Sequence, residues 1–225
     1  LAPWLDARQL EHVRRFGQVA YDQKAAGQEL AKAALSRLIA RAQLITAVAP
    51  LRAGAPQLQI GMDNCGRPLL DGWRVAFSHS GQAAFCALAP AGKESPALGL
   101  DAEALTSPPP HASAFAADEL AAPPALPQSV IDREALRRWT IKEAMLKTAG
   151  LGLGMQPAHI PTGRFGQRAG LWQGPLGTFG WRSIACSGHW LCVALAGHVP
   201  PMQMTVLRQS PHVLLRRLAD VPPQS

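Results

Sequence analysis

The chain predicts an α/β (α+β) protein of two similar lobes, and three features carry that expectation: a helical N-terminal stretch, strand-like runs after it, and a proline-rich break followed by helix and strands again. From about Asp6 to Val48, Leu10 and Val13 and then, after a break near Gly27, Leu30, Ala34, Leu35, Leu38 and Ile39 recur at helix spacing. Arg74–Ser78 and Ala83–Ala89 read as strands around a Ser-His-Ser-Gly-Gln turn, with Val75, Phe77, Phe85 and Leu88 supplying strand preference. Ala97–Glu103 reads as a further strand. Six prolines between Thr106 and Ser129 interrupt regular structure around a short expected helix, Ala114–Ala121. A second long helix, capped by Ser129 or Asp132, should run to Ala149 and stop at Gly150. Gly177–Ser183 and Trp190–Ala196 suggest the last strands, joined by a Ser187-Gly188-His189 turn. The lobes are placed at 1–105 and 106–225, with no internal repeat visible between them.

Composition narrows the function classes. Nearly half of the 225 residues are apolar, enough for a real core, and the net charge of +7 with a pI near 9.8 favours acidic partners. Nucleic acid is disfavoured, because there is one Tyr and no dense basic block interleaved with aromatics. Of four cysteines, Cys86 and Cys192 sit in apolar strand-like runs, as small core residues do, and no secreted disulfide framework is suggested. No apolar run is long enough for a bilayer and no basic-then-apolar leader opens the chain, so no membrane partner and a cytoplasmic location are expected.

The chemistry concentrates in two segments, Gly99-Leu100-Asp101-Ala102-Glu103 and Trp139-Thr140-Ile141-Lys142-Glu143-Ala144-Met145-Leu146-Lys147. Strand alternation puts Asp101 and Glu103 on one face, and helix spacing puts Glu143 one turn before Lys147. Three carboxylates without Cys or His make a hard oxygen donor set that suits Mg²⁺ and leaves room for phosphates, which lysines can meet. Taken alone, Glu143 and Lys147 could be an ordinary surface ion pair worth about 0.3–0.5 kcal/mol. Trp139, one turn earlier, places that face in apolar surroundings, where a carboxylate needs a partner.

Those segments, with Gly66-Arg67-Pro68 and Ser78-His79-Ser80 upstream, resemble the motifs of the 4′-phosphopantetheinyl transferases, of the larger monomeric type that acts on carrier proteins of nonribosomal peptide, polyketide and fatty acid synthesis. Phe115-Ala116-Ala117-Asp118-Glu119 resembles a further family stretch ending in Glu. The resemblance implies a pseudo-twofold pair of lobes, a monomer, and Mg²⁺-dependent transfer of 4′-phosphopantetheine from coenzyme A to a serine of an acyl, peptidyl or aryl carrier protein. It implies a metal held by Asp101, Glu103 and Glu143. Glu143 would serve as base, directly or through a metal-bound water, and Lys147 would stabilise the charge on the transferring phosphate or protonate the leaving group. Lys32, Arg67, Ser78, His79 and Lys142 would meet coenzyme A, Lys142 either through a phosphate or by orienting the carrier backbone.

Other readings remain open at this level. Lys32 with Arg37 and Arg41 also reads as a solvated basic face, and Ser78-His79-Ser80 as turn chemistry; a hydrolase reading is disfavoured, because G-x-S-x-G is absent and adjacent residues in a strand-turn do not form a triad by themselves. Cys186-x-x-His189-x-x-Cys192 supplies only three local zinc ligands and fits a hairpin better. A non-catalytic, basic coenzyme A or carrier-protein binding module of the same fold is the alternative function. For the carrier, Phe115 and Leu120 beside the prolines are the expected apolar contacts.

Overall fold

A computed structural model describes residues 39–48, 60–64, 67–81, 83–91, 97–120, 126–151, 154–175, 177–197 and 203–219. Its elements are a helical stretch α1 at 39–48, then β1 (Gly61–Met62), β2 (Pro68–Leu70), β3 (Trp73–Ser80), β4 (Ala83–Pro90), β5 (Leu98–Ala104), α2 (Gln128–Ala149), β6 (Ala169–Gly174), β7 (Gly177–Cys186), β8 (His189–Ala196) and α3 (Pro211–Ala219). The strands form two four-stranded antiparallel sheets, ordered β1-β2-β3-β4 and β5-β8-β7-β6. β5, which the boundary at 105 grouped with the first lobe, is hydrogen-bonded to β8 of the second sheet along its whole length.

Alternation along the strands explains the layering. Trp73, Val75 and Phe77 of β3, with Cys86 and Leu88 of β4, pack on Leu44 and Val48 of α1. The other faces of those strands send Ala76, Phe85, Ala87 and Ala89 against Leu98, Leu100, Val193 and Leu195 of the second sheet. That sheet's far face, with Phe179, Trp181, Cys192 and Ala194, receives Ile141, Ala144, Met145 and Leu146 of α2. The order is therefore helix, sheet, sheet, helix. Among the described residues no helix is long and apolar enough to cross a membrane.

Two local expectations change. Phe115 takes an extended conformation and turns inward among Ala114, Leu120, Ala135 and Trp139, so the expected Ala114–Ala121 helix is a single 3₁₀ turn at Ala112–Ala114 followed by turns. α2 starts directly after Pro127 with no side-chain cap; Asp132 instead accepts from the Gln128 side-chain amide. The far end agrees: Gly150 closes α2 in the left-handed conformation, φ 71°, and its N–H reaches the last-turn carbonyls.

Candidate active site

Asp101 and Glu103 leave β5 on the face that also carries Gly99, and α2 rests there so closely that a methyl on Gly99 would overlap the Ala144 carbonyl oxygen and Thr148. This glycine sets the height of the helix over the strand. α2 presents Trp139, Glu143 and Lys147 at four-residue steps, one above the other along the helix.

The two strand carboxylates are held by the same plan. Ser78 and Ser80 of β3 face Asp101 and Glu103 in step, the first hydroxyl donating to Asp101 Oδ1 over 3.3 Å and the second to Glu103 Oε2 over 3.4 Å. The Ala104 N–H donates to Ser80 Oγ at 2.8 Å, which leaves that hydroxyl's own hydrogen for Glu103. From the opposite side α2 supplies Lys147 Nζ, 2.6 Å from Asp101 Oδ1, and the Trp139 indole N–H toward Glu103. Each carboxylate thus lies between a serine of one sheet and a side chain of α2.

Burial dominates the electrostatics. Asp101, 4% exposed, is pushed up to about 6 from 3.8 by desolvation, against the pull of Lys147 and with a further push from Glu103. Glu103 is raised by burial, moderated by Ser80 and Trp139, with Glu143 pushing it higher; Glu143 is raised by burial and then by Asp101. The carboxylates push one another up even with Lys147 beside them, so the site is short of positive charge. Asp101 Oδ2 is buried without a hydrogen-bond partner. Among the described residues no three His, Cys, Asp or Glu side chains stand close enough to cage an ion as they are. An orphaned buried oxygen and mutually repelling carboxylates are nonetheless the donor set that a hard divalent cation suits.

The remaining expected site residues divide. Ser78 belongs to the carboxylate cluster. His79 is exposed on the opposite face of β3, the face that packs on α1, so strand alternation separates it from its two serine neighbours. Arg67 is paired with Asp63 at 2.6 Å and donates Nη1 to the Thr148 carbonyl at 3.1 Å, which ties it to the last turn of α2; its side chain remains 35% exposed. Lys32 lies outside the described residues, as does Gly66.

Lys142 requires correction. It is fully buried, and its ammonium donates to Glu119 Oε2 at 2.7 Å and to the carbonyls of Pro157 and Ile160 at 2.8 and 2.6 Å. Those three bonds spend every donor it has, so it orients no phosphate and no carrier backbone. Phe115 is corrected as well: it is 7% exposed and packed in the core, where it offers a partner no contact surface.

A polar network escaped the sequence reading. Glu134 bridges Arg137 and Arg138, all three buried, while Arg138 also reaches Thr162 and the Gly163 carbonyl and stands 3.7 Å from Glu119. Glu119 accepts from Thr162 too. The spacing of Glu134 three and four residues before two arginines was the available signal. Cys186 and His189 pair across a hairpin end while Cys192 is wholly buried, so the partial zinc pattern gathers no site.

No curated protein matches this chain. Residues 97–188, from the start of β5 to the β7–β8 turn, match the family model of the 4′-phosphopantetheinyl transferase superfamily. That span contains β5 with its two carboxylates, the Glu119 segment and the whole of α2. Over residues 97–188, the chain carries a domain of the 4′-phosphopantetheinyl transferase superfamily.

Proposed function

We propose that the chain transfers 4′-phosphopantetheine from coenzyme A to the serine hydroxyl of an acyl, peptidyl or aryl carrier protein and releases adenosine 3′,5′-bisphosphate. The superfamily domain supports phosphopantetheine transfer in general. The observation that carries the finer reading is Asp101, buried with Lys147 on one oxygen and nothing on the other, facing a second and third carboxylate. Asp101, Glu103 and Glu143 would hold Mg²⁺, which when bound supplies charge neutralisation for the pyrophosphate.

The chain's own residues account for the proton and the charge. Glu143 takes the proton of the attacking serine, directly or through a water. The serine oxygen forms its bond to the β-phosphorus, the one that bears pantetheine, as the bridging P–O bond breaks and the electron pair leaves with the adenosine bisphosphate. Lys147, whose side chain is 40% exposed at the edge of the site, stabilises that developing charge. Arg67, His79 and Lys32 meet the phosphates of coenzyme A.

The test is labelling of an apo carrier protein by fluorescent coenzyme A. Label should appear with Mg²⁺ and vanish with a chelator or in Asp101→Ala. A parent chain that labels no carrier across the three classes, while binding coenzyme A, would establish the binding module instead.

A further inference from the structure

Lys142 stands next to Glu143 in sequence yet serves a different part of the molecule. Its ammonium joins two segments that share no sheet. Glu119 belongs to the turns after β5, and the Pro157 and Ile160 carbonyls belong to the 3₁₀ turn that follows α2. It also lies 5.6 Å from the Phe115 ring centre. Burial draws the ammonium below the usual lysine range and the Glu119 carboxylate draws it back.

Beside these two segments lies a cleft of about 550 Å³ that reaches Glu103; of the residues Lys142 bonds, Pro157 lines it, and across from it stand residues of the stretch that leads into Phe115 and the Glu119 turns. Pro108, Pro109, Pro110 and Ala114 line it from the segment after β5, Pro157 from the segment after α2, and Leu136 and Trp139 from α2 itself. Prolines at fixed φ make a wall that cannot adjust by itself, so the separation of the two sides depends on what ties them. Among the described residues, His111 is the one titratable residue besides Glu103 that lines the cleft. Such a lining does not suit the phosphates of coenzyme A. It suits a neutral segment with small apolar side chains, the kind that would present a serine.

We infer that Lys142 is a positioning residue: it touches no substrate and fixes the two walls of this cleft, through which the carrier's serine-bearing segment reaches Glu103. The inference rests on the transfer reading above and names the side from which the acceptor enters. Loss of the tie should therefore weaken the carrier and spare coenzyme A, the opposite of what a phosphate-binding lysine would show.

The test compares the parent with the double variant Glu119→Gln, Lys142→Met, which removes both charges of the buried pair and leaves Arg138 its ion pair with Glu134. Calorimetry checks that it folds. Titration gives the Kd for coenzyme A and for adenosine 3′,5′-bisphosphate, and steady-state labelling gives KM for the carrier and kcat. The expected result is a coenzyme A Kd within about twofold of the parent and a carrier KM raised about tenfold or more, as misplaced walls cost binding geometry. Unchanged carrier KM in the folded variant overturns the inference. So does a coenzyme A Kd weakened as much as the carrier KM. Weakened coenzyme A with unaffected bisphosphate would put the pantetheine arm in the cleft and overturn the acceptor assignment. If the double variant does not fold, Lys142→Arg, which keeps the charge but not the three-point geometry, is read by the same measurements and the same criteria. A parent that labels no carrier overturns the transfer reading itself, and is distinguished by needing no variant.

Discussion

Replacing Asp101 by Asn separates what the carboxylate costs the fold from what it does. Asp101 is 4% exposed, has one oxygen without a partner, and is raised from 3.8 to about 6 despite a lysine ammonium at 2.6 Å. Between those two values the folded chain keeps a proton that the unfolded chain has released. Stability from this group is therefore complete below 3.8 and is lost as pH climbs through about 6. At neutral pH that gap, at about 1.4 kcal/mol per pH unit, corresponds to roughly 3 kcal/mol against folding. Asn has the same shape and no charge, so it recovers that cost, but its amide inherits the unpartnered position, which takes back about 1–2 kcal/mol.

The metal-free Asp101→Asn variant should thus be more stable than the parent by roughly 1–2 kcal/mol near pH 7, a rise in Tm of about 2–8 °C for a chain of this size. Differential scanning calorimetry in chelator, from about pH 4 to about pH 8, is the assay. The difference between the two proteins should grow through the window from 3.8 to about 6 and then stay level. Glu103 and Glu143 remain in both proteins; Glu143 loses the push of Asp101 in the variant, which adds to the variant's gain in the same direction. Mg²⁺ should raise the Tm of the parent alone, and the variant should transfer nothing. A variant that is less stable near pH 7, or a difference that ignores pH, would mean that the Lys147 ion pair outweighs desolvation, and would refute this account of the site.

Three further outcomes are expected. Lys147→Ala should lower kcat by about 10²–10³-fold while titration finds the coenzyme A Kd within about threefold, since the lysine acts on charge that develops in the transition state; an effect confined to Kd would make it a ground-state clamp. Gly99→Ala places a methyl against Ala144 and Thr148, so α2 must lift; it should cost about 3 kcal/mol in thermal melts and weaken Mn²⁺ binding followed by electron paramagnetic resonance. Glu134→Ala strands Arg137 and Arg138, 0% and 3% exposed, and should cost about 3–5 kcal/mol in denaturant unfolding without touching the carboxylate cluster.

The legible parts of this chain are those that depend on local periodicity. Alternation put Asp101 and Glu103 together, helix spacing put Glu143 beside Lys147, and Gly150 marked the end of α2. The serines that hold the strand carboxylates were not legible as such, because their role depends on β3 lying beside β5, 23 residues away. Lys142 misled because adjacency to Glu143 suggests shared chemistry, whereas one helical step turns a side chain about 100° aside. Its partner, Glu119, lies 23 residues away, in the short stretch between the proline clusters expected to be helical. β1, β2 and β6 were missed because they are short or glycine-flanked and mostly exposed, without an apolar alternation to reveal them. α3 did leave a signal, Ser210 before Pro211, and the Val213 N–H does point to the Ser210 hydroxyl.

The arrangement around β5 explains why the site and the packing of the two sheets are one problem. Each carboxylate is fastened from the first sheet by a serine and from α2 by Lys147 or Trp139, so neither can be positioned until the end of β3 and the helix are both in place. The fastening leaves the charges poorly compensated: burial and mutual repulsion hold all three carboxyl groups above their ordinary values. A fold selected only for stability would neutralise them, as Asn at 101 would. Retaining them makes sense where positive charge arrives from outside, because an ion then gains what the protein alone forgoes, and its binding free energy adds directly to the apposition of sheet, strand and helix. Gly99 belongs to the same logic. Any larger residue would lift α2 and move Glu143 away from the strand carboxylates, which separates the donors that a single ion must bridge.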